Sequence, residues 1–245
     1  MRRIRIHVES ALRPGTRVAL PETAAQHLLR VLRMASGDPL VLFNGDGFDY
    51  AARLGSVARR GADAEVDAQL PPAAAEAPLR LTLGQALARG EKMDWVLQKA
   101  TELGVAAIVP LLSERTEVRL DAERAARRMQ HWRGVVVAAC EQSGRAVVPV
   151  LVEPVALERF AADPSHPSPR LLLDPEADTG IAGLGAGLSE ATLAIGPEGG
   201  WSGRDIEILR AGGFGRLRLG PRVLRTETAG PVALAALQAC YGDLR

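Results

Sequence analysis

Twice near its C-terminal end the chain leaves a short apolar run, turns through glycine and proline, and enters a helical stretch. Ala191 to Ile195 leads into Gly196-Pro197-Glu198-Gly199-Gly200-Trp201, and a polar helical run starts at Ser202. Arg216 to Leu219 leads into Gly220-Pro221, then Arg222-Val223-Leu224-Arg225-Thr226-Glu227-Thr228-Ala229 and a last helix. Glycines at 196, 199 and 200 permit positive φ and let a ligand touch bare backbone. Ser202 with Asp205 three residues later predicts a capping box. Two such strand–loop–helix units predict a pocket at the strand ends of an α/β sheet.

The rest of the C-terminal two-thirds agrees. From Leu79 onward, apolar strand-like runs alternate with helical patterns, which predicts a mostly parallel sheet covered by helices. The strands are expected over 79–83, 106–112, 147–152, 170–173, 193–195 and 216–219. Helices are expected over 91–103, from an Asp121 cap through the stripe Ala125, Met129, Trp132, Val136, Ala139 and Cys140, and over 228–241. Pro231 fits a helix only in its first turn, so the last helix is expected to begin near Thr228. That helix is apolar nearly all round and needs burial on several sides.

Residues 1–70 instead carry short β-rich runs, at 4–8, 17–20, 39–43, 48–54 and 64–69, with one helix over 22–34. Asn44-Gly45-Asp46-Gly47 reads as a hairpin turn. The pattern is that of a small barrel. Prolines at 71, 72 and 78 make residues 71–78 a stiff connector, which divides the chain into 1–70 and 79–245.

Composition adds limits. The 245 residues are 47% hydrophobic, enough for a core, yet no run approaches the ~20 apolar residues of a membrane span. Without a secretory signal pattern and with only Cys140 and Cys240, a reduced cytoplasmic protein is expected. A net charge of +1 does not advertise a nucleic-acid partner, though a local basic patch remains open. His7, His27, His131 and His166 lack metal-ligand spacing, so no metal is expected. Gly183-Leu184-Gly185-Ala186-Gly187 does not turn directly from a strand into a helix and reads as a surface loop.

The two C-terminal loops closely resemble the signature motifs of the ribosomal RNA small subunit methyltransferase E family. Four upstream blocks are similar in the same order: His27 to Met34, Arg89 to Met93, Gln98 to Val105, and Ala138 to Arg145. The resemblance implies a PUA-like RNA-binding β-barrel at 1–70 and a SPOUT-type, trefoil-knotted α/β methyltransferase domain at 79–245. It implies S-adenosyl-L-methionine as cofactor, N3 of a uridine in 16S rRNA of the small ribosomal subunit or its assembly intermediate as target, and a homodimer. The apolar last helix, Leu237 included, is expected in the dimer interface. Carried onto this sequence, the cofactor site comprises Leu172, Ile195, Gly196, Pro197, Glu198, Gly199, Gly200, Leu219, Gly220, Leu224 and Thr228. His27, Arg30, Arg33, Lys92 and Arg145 are the expected RNA contacts.

Uridine N3 is a poor nucleophile until its proton leaves, and the resulting anion spreads onto O2 and O4. Such chemistry calls for a proton acceptor, a stabilising cation, or both. Arg225 is the expected cation, with Arg222 second, and Glu198 or Glu227 the acceptor unless they only orient an arginine. Two other readings stand beside this one: a SPOUT methyltransferase acting on a different RNA nucleotide, and a non-catalytic RNA-binding ribosome assembly factor.

Overall fold

The structure is a computed structural model and describes residues 4–58, 61–116 and 122–244. The expected Asp121 cap lies outside the described residues. Two compact units emerge, one of residues 1–76 with 137–148, the other of 77–136 with 149–245.

The N-terminal unit holds five strands, β1 Arg5–His7, β2 Arg17–Ala19, β3 Pro39–Phe43, β4 Asp49–Ala58 and β5 Gly61–Leu70. They pair in the order β1-β3-β4-β5-β2, with β1 and β3 parallel and the rest antiparallel. Alternation along β3 explains its two buried faces. Leu40 and Leu42 enter the main core with Ile6, Val8, Leu28 and Leu54. Phe43 points the other way and is covered by Cys140 and Ala146. Segment 137–148 therefore completes this unit, although the sequence pattern places it in the C-terminal domain.

The same side carries a buried ion pair. Arg5 donates to Asp49 at 2.7 Å and to the Arg145 carbonyl at 3.0 Å, and its guanidinium lies 4.7 Å from the Phe43 ring centre. Asp49 also accepts the Ala73 N–H at 3.0 Å. The proline-bearing segment after β5 is thus tied down: Ala74 N–H donates to the Gly144 carbonyl, and Glu76 pairs with Arg145.

The expected helix over 22–34 is shorter and changes its winding. Regular α1, Glu22–Gln26, continues as a π-helical turn over His27–Val31, and Arg33 takes a left-handed backbone with φ 55°. Such turns cluster at functional positions.

In the C-terminal unit seven parallel strands form one sheet: β6 Arg80–Ala86, β7 Ala107–Leu112, β8 Val150–Leu151, β9 Val155–Ala156, β10 Arg170–Leu173, β11 Glu190–Ile195 and β12 Phe214–Leu217. The order is β12-β10-β11-β6-β7-β8, with β9 also on β7. The helices are α2 Lys92–Glu102, α3 Ala122–Ser143, α4 Leu157–Ala162, α5 Gly203–Ala211 and α6 Thr226–Tyr241. Leu172, Ala194 and Val109 face α4 and α5 through Phe160 and Leu209, with Phe214 of β12 in the same cluster. Leu83 and Ile195 face α6 instead, beside Gly230. Burial on both faces is why these strands read as continuous apolar runs. Gly84 is required by packing, since a Cβ there would meet the Phe160 ring at 2.4 Å.

Several boundaries differ from expectation. β9 and α4 lack a strong periodic signal and were not anticipated. β12 ends at Leu217, so Leu219 and Gly220 belong to the following loop. α6 starts two residues early, because the Arg225 carbonyl already accepts the Thr228 and Ala229 N–H groups. Pro231 consequently sits inside the helix and cannot donate to the Glu227 carbonyl. The glycine run near 185 is a loop with one short 3₁₀ turn, Ile181–Leu184.

Candidate active site

The parallel strands β6 and β11 end side by side, Ile195 opposite Gln85. The chain beyond each end builds the site. After β11 comes the glycine loop, closed by the Ser202 cap: the Ser202 hydroxyl accepts the Asp205 N–H and the Asp205 carboxylate accepts the Ser202 N–H, both at 3.0 Å. The other Asp205 oxygen accepts the Glu114 N–H at 3.2 Å, which ties the loop after β7 to the same helix start. Arg115 in that loop donates to the Gly199 carbonyl at 2.7 Å. Trp201 lies over Gly196, where a Cβ would meet the indole at 3.3 Å.

Along the glycine loop only Gly200 has positive φ, 67°, with open space around its α-carbon. Glu198, Gly199 and Gly200 are exposed, leaving a run of uncovered main chain. Leu172 and Ile195 differ from the expectation of pocket-lining side chains. Both are core residues, 0% and 1% exposed, so only their backbone can border a ligand. Leu219, Leu224 and Thr228 are half-buried and Gly220 is exposed with φ 71°.

The start of α6 docks on this loop through two ties. The Thr226 hydroxyl donates to the Gly196 carbonyl and accepts from Gln85 Nε2 at 3.1 Å. Lys92, at the first turn of α2, lies between two carboxylates, 3.2 Å from Glu198 and 3.5 Å from Glu227. Glu227 therefore pairs with Lys92 rather than with Arg225, the local alternative open in the sequence. Burial alone would raise the Glu198 carboxyl, but its own N–H, the Arg89 N–H and the Lys92 ammonium outweigh it and hold the group below its ordinary range. Glu227 differs: its Oε2 is buried without a hydrogen bond. Arg222 and Arg225 are exposed, and among the described residues neither forms an ion pair.

Of the expected RNA contacts, Lys92 belongs to this cluster. His27, Arg30 and Arg33 are exposed together on the π-helical turn and its exit, beside the exposed Val31 and Leu32. Arg145 requires correction. Its side chain is 5% exposed and paired with Glu76, so it is an internal staple of the N-terminal unit rather than a surface contact. Gln85 and Arg115 are site residues that the sequence pattern does not mark, whereas Thr226 belongs to the polar motif after Gly220-Pro221. A polar residue ending an otherwise apolar strand was the one available signal for Gln85.

An open parallel sheet with two loops joined at its strand ends matches what sequence comparison finds. Residues 75–238 fit the family model of an RNA methyltransferase domain, and residues 20–67 that of an RNA methyltransferase PUA domain. The molecule is thus an RNA methyltransferase carrying a PUA domain. The Ribosomal RNA small subunit methyltransferase E of Buchnera aphidicola subsp. Schizaphis graminum is 30% identical over 241 residues, 98% of this chain and 97% of the relative. A methyltransferase structure from Legionella pneumophila, in complex with the bound cofactor SAM, is 40% identical with a TM-score of 0.95 over 100% of both chains. A Ribosomal RNA small subunit methyltransferase E from Neisseria gonorrhoeae, bound to S-adenosyl methionine, is 35% identical with a TM-score of 0.89, covering 99% of this chain and 100% of that one. The chain belongs to the ribosomal RNA small subunit methyltransferase E family.

Proposed function

We propose that this protein binds S-adenosylmethionine at the Gly196–Gly200 loop and methylates N3 of a uridine in 16S rRNA of the small ribosomal subunit. The observation that carries the reading is the docking of the α6 start on the glycine loop. It gathers bare backbone and two carboxylates in one cluster, with the exposed Arg225 immediately before α6.

The residues present fit the cofactor. With the Gly199 carbonyl held by Arg115 and the Gly200 N–H by the Pro197 carbonyl, the Gly199 N–H and the Gly200 carbonyl are the donor and acceptor offered to an adenine edge, and the loop after β12, with Leu219, Gly220 and Leu224, offers apolar contact. When bound, S-adenosylmethionine supplies an electrophilic methyl group that needs no further activation. The protein's own task is alignment and preparation of the nucleophile.

For that task Arg225 faces the uridine as the cation for the anion spread over O2 and O4, with Arg222 beside it. Glu198 or Glu227 is the proton acceptor. Glu198 accepts the Arg89 N–H and the Lys92 ammonium, and Glu227 Oε2 lies buried 3.5 Å from the same ammonium. The N3 proton passes to the Glu198 or Glu227 carboxylate of this cluster and on to solvent. N3 lies on the base-pairing edge, so the uridine must be unpaired or flipped. His27, Arg30 and Arg33 hold the RNA through phosphates, which position without reading sequence.

A homodimer is part of this proposal. Leu237 is not its contact, being 0% exposed within its own chain. Val232, Ala239 and Cys240 are the apolar residues α6 leaves outward, and sedimentation showing only monomer at micromolar concentration would remove the dimer.

Gly199→Val tests the cofactor assignment. A Cβ at Gly199 meets only the Arg115 side chain, at 3.5 and 3.7 Å, and φ there is not positive, so the fold should tolerate the change. Calorimetric titration should show S-adenosylmethionine affinity lost in the folded variant. Near wild-type affinity would sink the assignment.

A further inference from the structure

Gln85 is 0% exposed and Thr226 6% exposed, yet both spend polar groups on each other. Hydrogen-bond direction follows from chemistry. The Gly196 carbonyl can only accept, so the Thr226 hydroxyl proton goes to it. The Thr226 oxygen is then left to accept, and Gln85 must turn its NH₂ toward it, at 3.1 Å. The second Gln85 N–H goes to the Ala86 carbonyl at 3.1 Å. Gln85 Oε1 is thereby turned toward Gly230, buried and without a hydrogen-bond partner. A Cβ at Gly230 would stand 2.9 Å from that oxygen, so the α6 backbone must come this close as glycine.

We infer that Gln85 and Thr226 are positioning residues: their relay sets the first turn of α6, and with it Arg225, against the Gly196–Gly200 loop. This rests on the methyl-transfer reading above. Thr226 directly follows Arg225, whose carbonyl accepts the Thr228 and Ala229 N–H groups at 2.9 and 2.8 Å. The backbone of Arg225 is therefore fixed from both sides while its guanidinium remains exposed. The parallel tie through Lys92 is partly exposed, and such pairs hold geometry weakly. The buried relay is the stiffer of the two. Had packing alone been at stake, an apolar pair would have filled the space without leaving Oε1 unsatisfied.

The test uses the full chain with Thr226→Val, which keeps the shape and removes the hydroxyl, Thr226→Ser, which restores it, and Gln85→Met as a second break in the relay. Thr226→Val should lower kcat on small-subunit particles by about 10- to 100-fold, the scale expected for misplacement by about an ångström. KM for the particles should stay within about twofold, and Thr226→Ser should recover most of the rate. Amide hydrogen exchange, measured without cofactor, should accelerate over 196–200 and 225–229 in Thr226→Val and return in Thr226→Ser. Gln85→Met should do the same, and the double variant should lose little more than either single one, because both cut one chain. Unchanged exchange in these two segments, or full turnover in Thr226→Val, overturns the inference. So does a general rise in exchange across the domain with no local excess. If the wild-type protein transfers no methyl group, the functional reading fails instead, and the exchange pattern still decides the relay. If Thr226→Val does not fold, Gln85→Met decides it.

Discussion

Arg225→Ala is expected to lower turnover by about two to three orders of magnitude while S-adenosylmethionine affinity stays nearly unchanged. The split follows from where the side chain sits. Arg225 precedes α6, exposed, and among the described residues it forms no ion pair, so its removal leaves no buried charge behind. The cofactor's proposed contacts are main-chain groups of the glycine loop, tied to α6 through Thr226, and the apolar residues Leu219 and Leu224 with Gly220; the Arg225 guanidinium supplies none of them. Single-turnover rates at saturating RNA read the chemical step. A loss confined to RNA affinity, with that rate intact, would reassign Arg225 to RNA positioning.

The largest stability effect is expected at Asp49, in the N-terminal unit. Asp49→Ala strips the partner from Arg5, whose side chain is 5% exposed, and leaves the Ala73 N–H without its acceptor. Breaking a buried pair on one side costs about 3–5 kcal/mol, because the remaining charge stays in the interior. Whole domains are stable by only about 5–15 kcal/mol, so the N-terminal unit should melt early or fail to fold. Asp49→Asn keeps acceptor capacity and should lose less. Urea unfolding reads both, and a loss below about 1 kcal/mol for Asp49→Ala would show that Arg5 finds another partner.

What the sequence revealed and what it hid divide along a physical line. Local signals were legible: the Ser202–Asp205 capping box, the glycine loop after β11, the two-sided burial of the parallel strands, and the apolar character of α6. Pairings across long sequence separations were not. Gln85 meets Thr226 141 residues away, and Arg5 meets the Arg145 carbonyl 140 residues away. Nothing near Arg145 tells that it is buried, since a basic residue after a helix-ending glycine reads as surface. Likewise the stripe Ala139–Cys140 was visible as apolar, but its partner Phe43 was not. This also bears on separating the domains. A chain beginning at residue 79 retains 137–148 but loses the strand that covers it, so a clean split should exchange that segment for polar residues.

The central claim is transfer of a methyl group to uridine N3. The direct measurement incubates the wild-type protein with small-subunit particles and S-adenosylmethionine carrying a labelled methyl group, then digests the 16S rRNA to nucleosides and identifies the labelled one by mass. Label in 3-methyluridine alone is the expected result. Label in any other nucleoside, or in none, would contradict it.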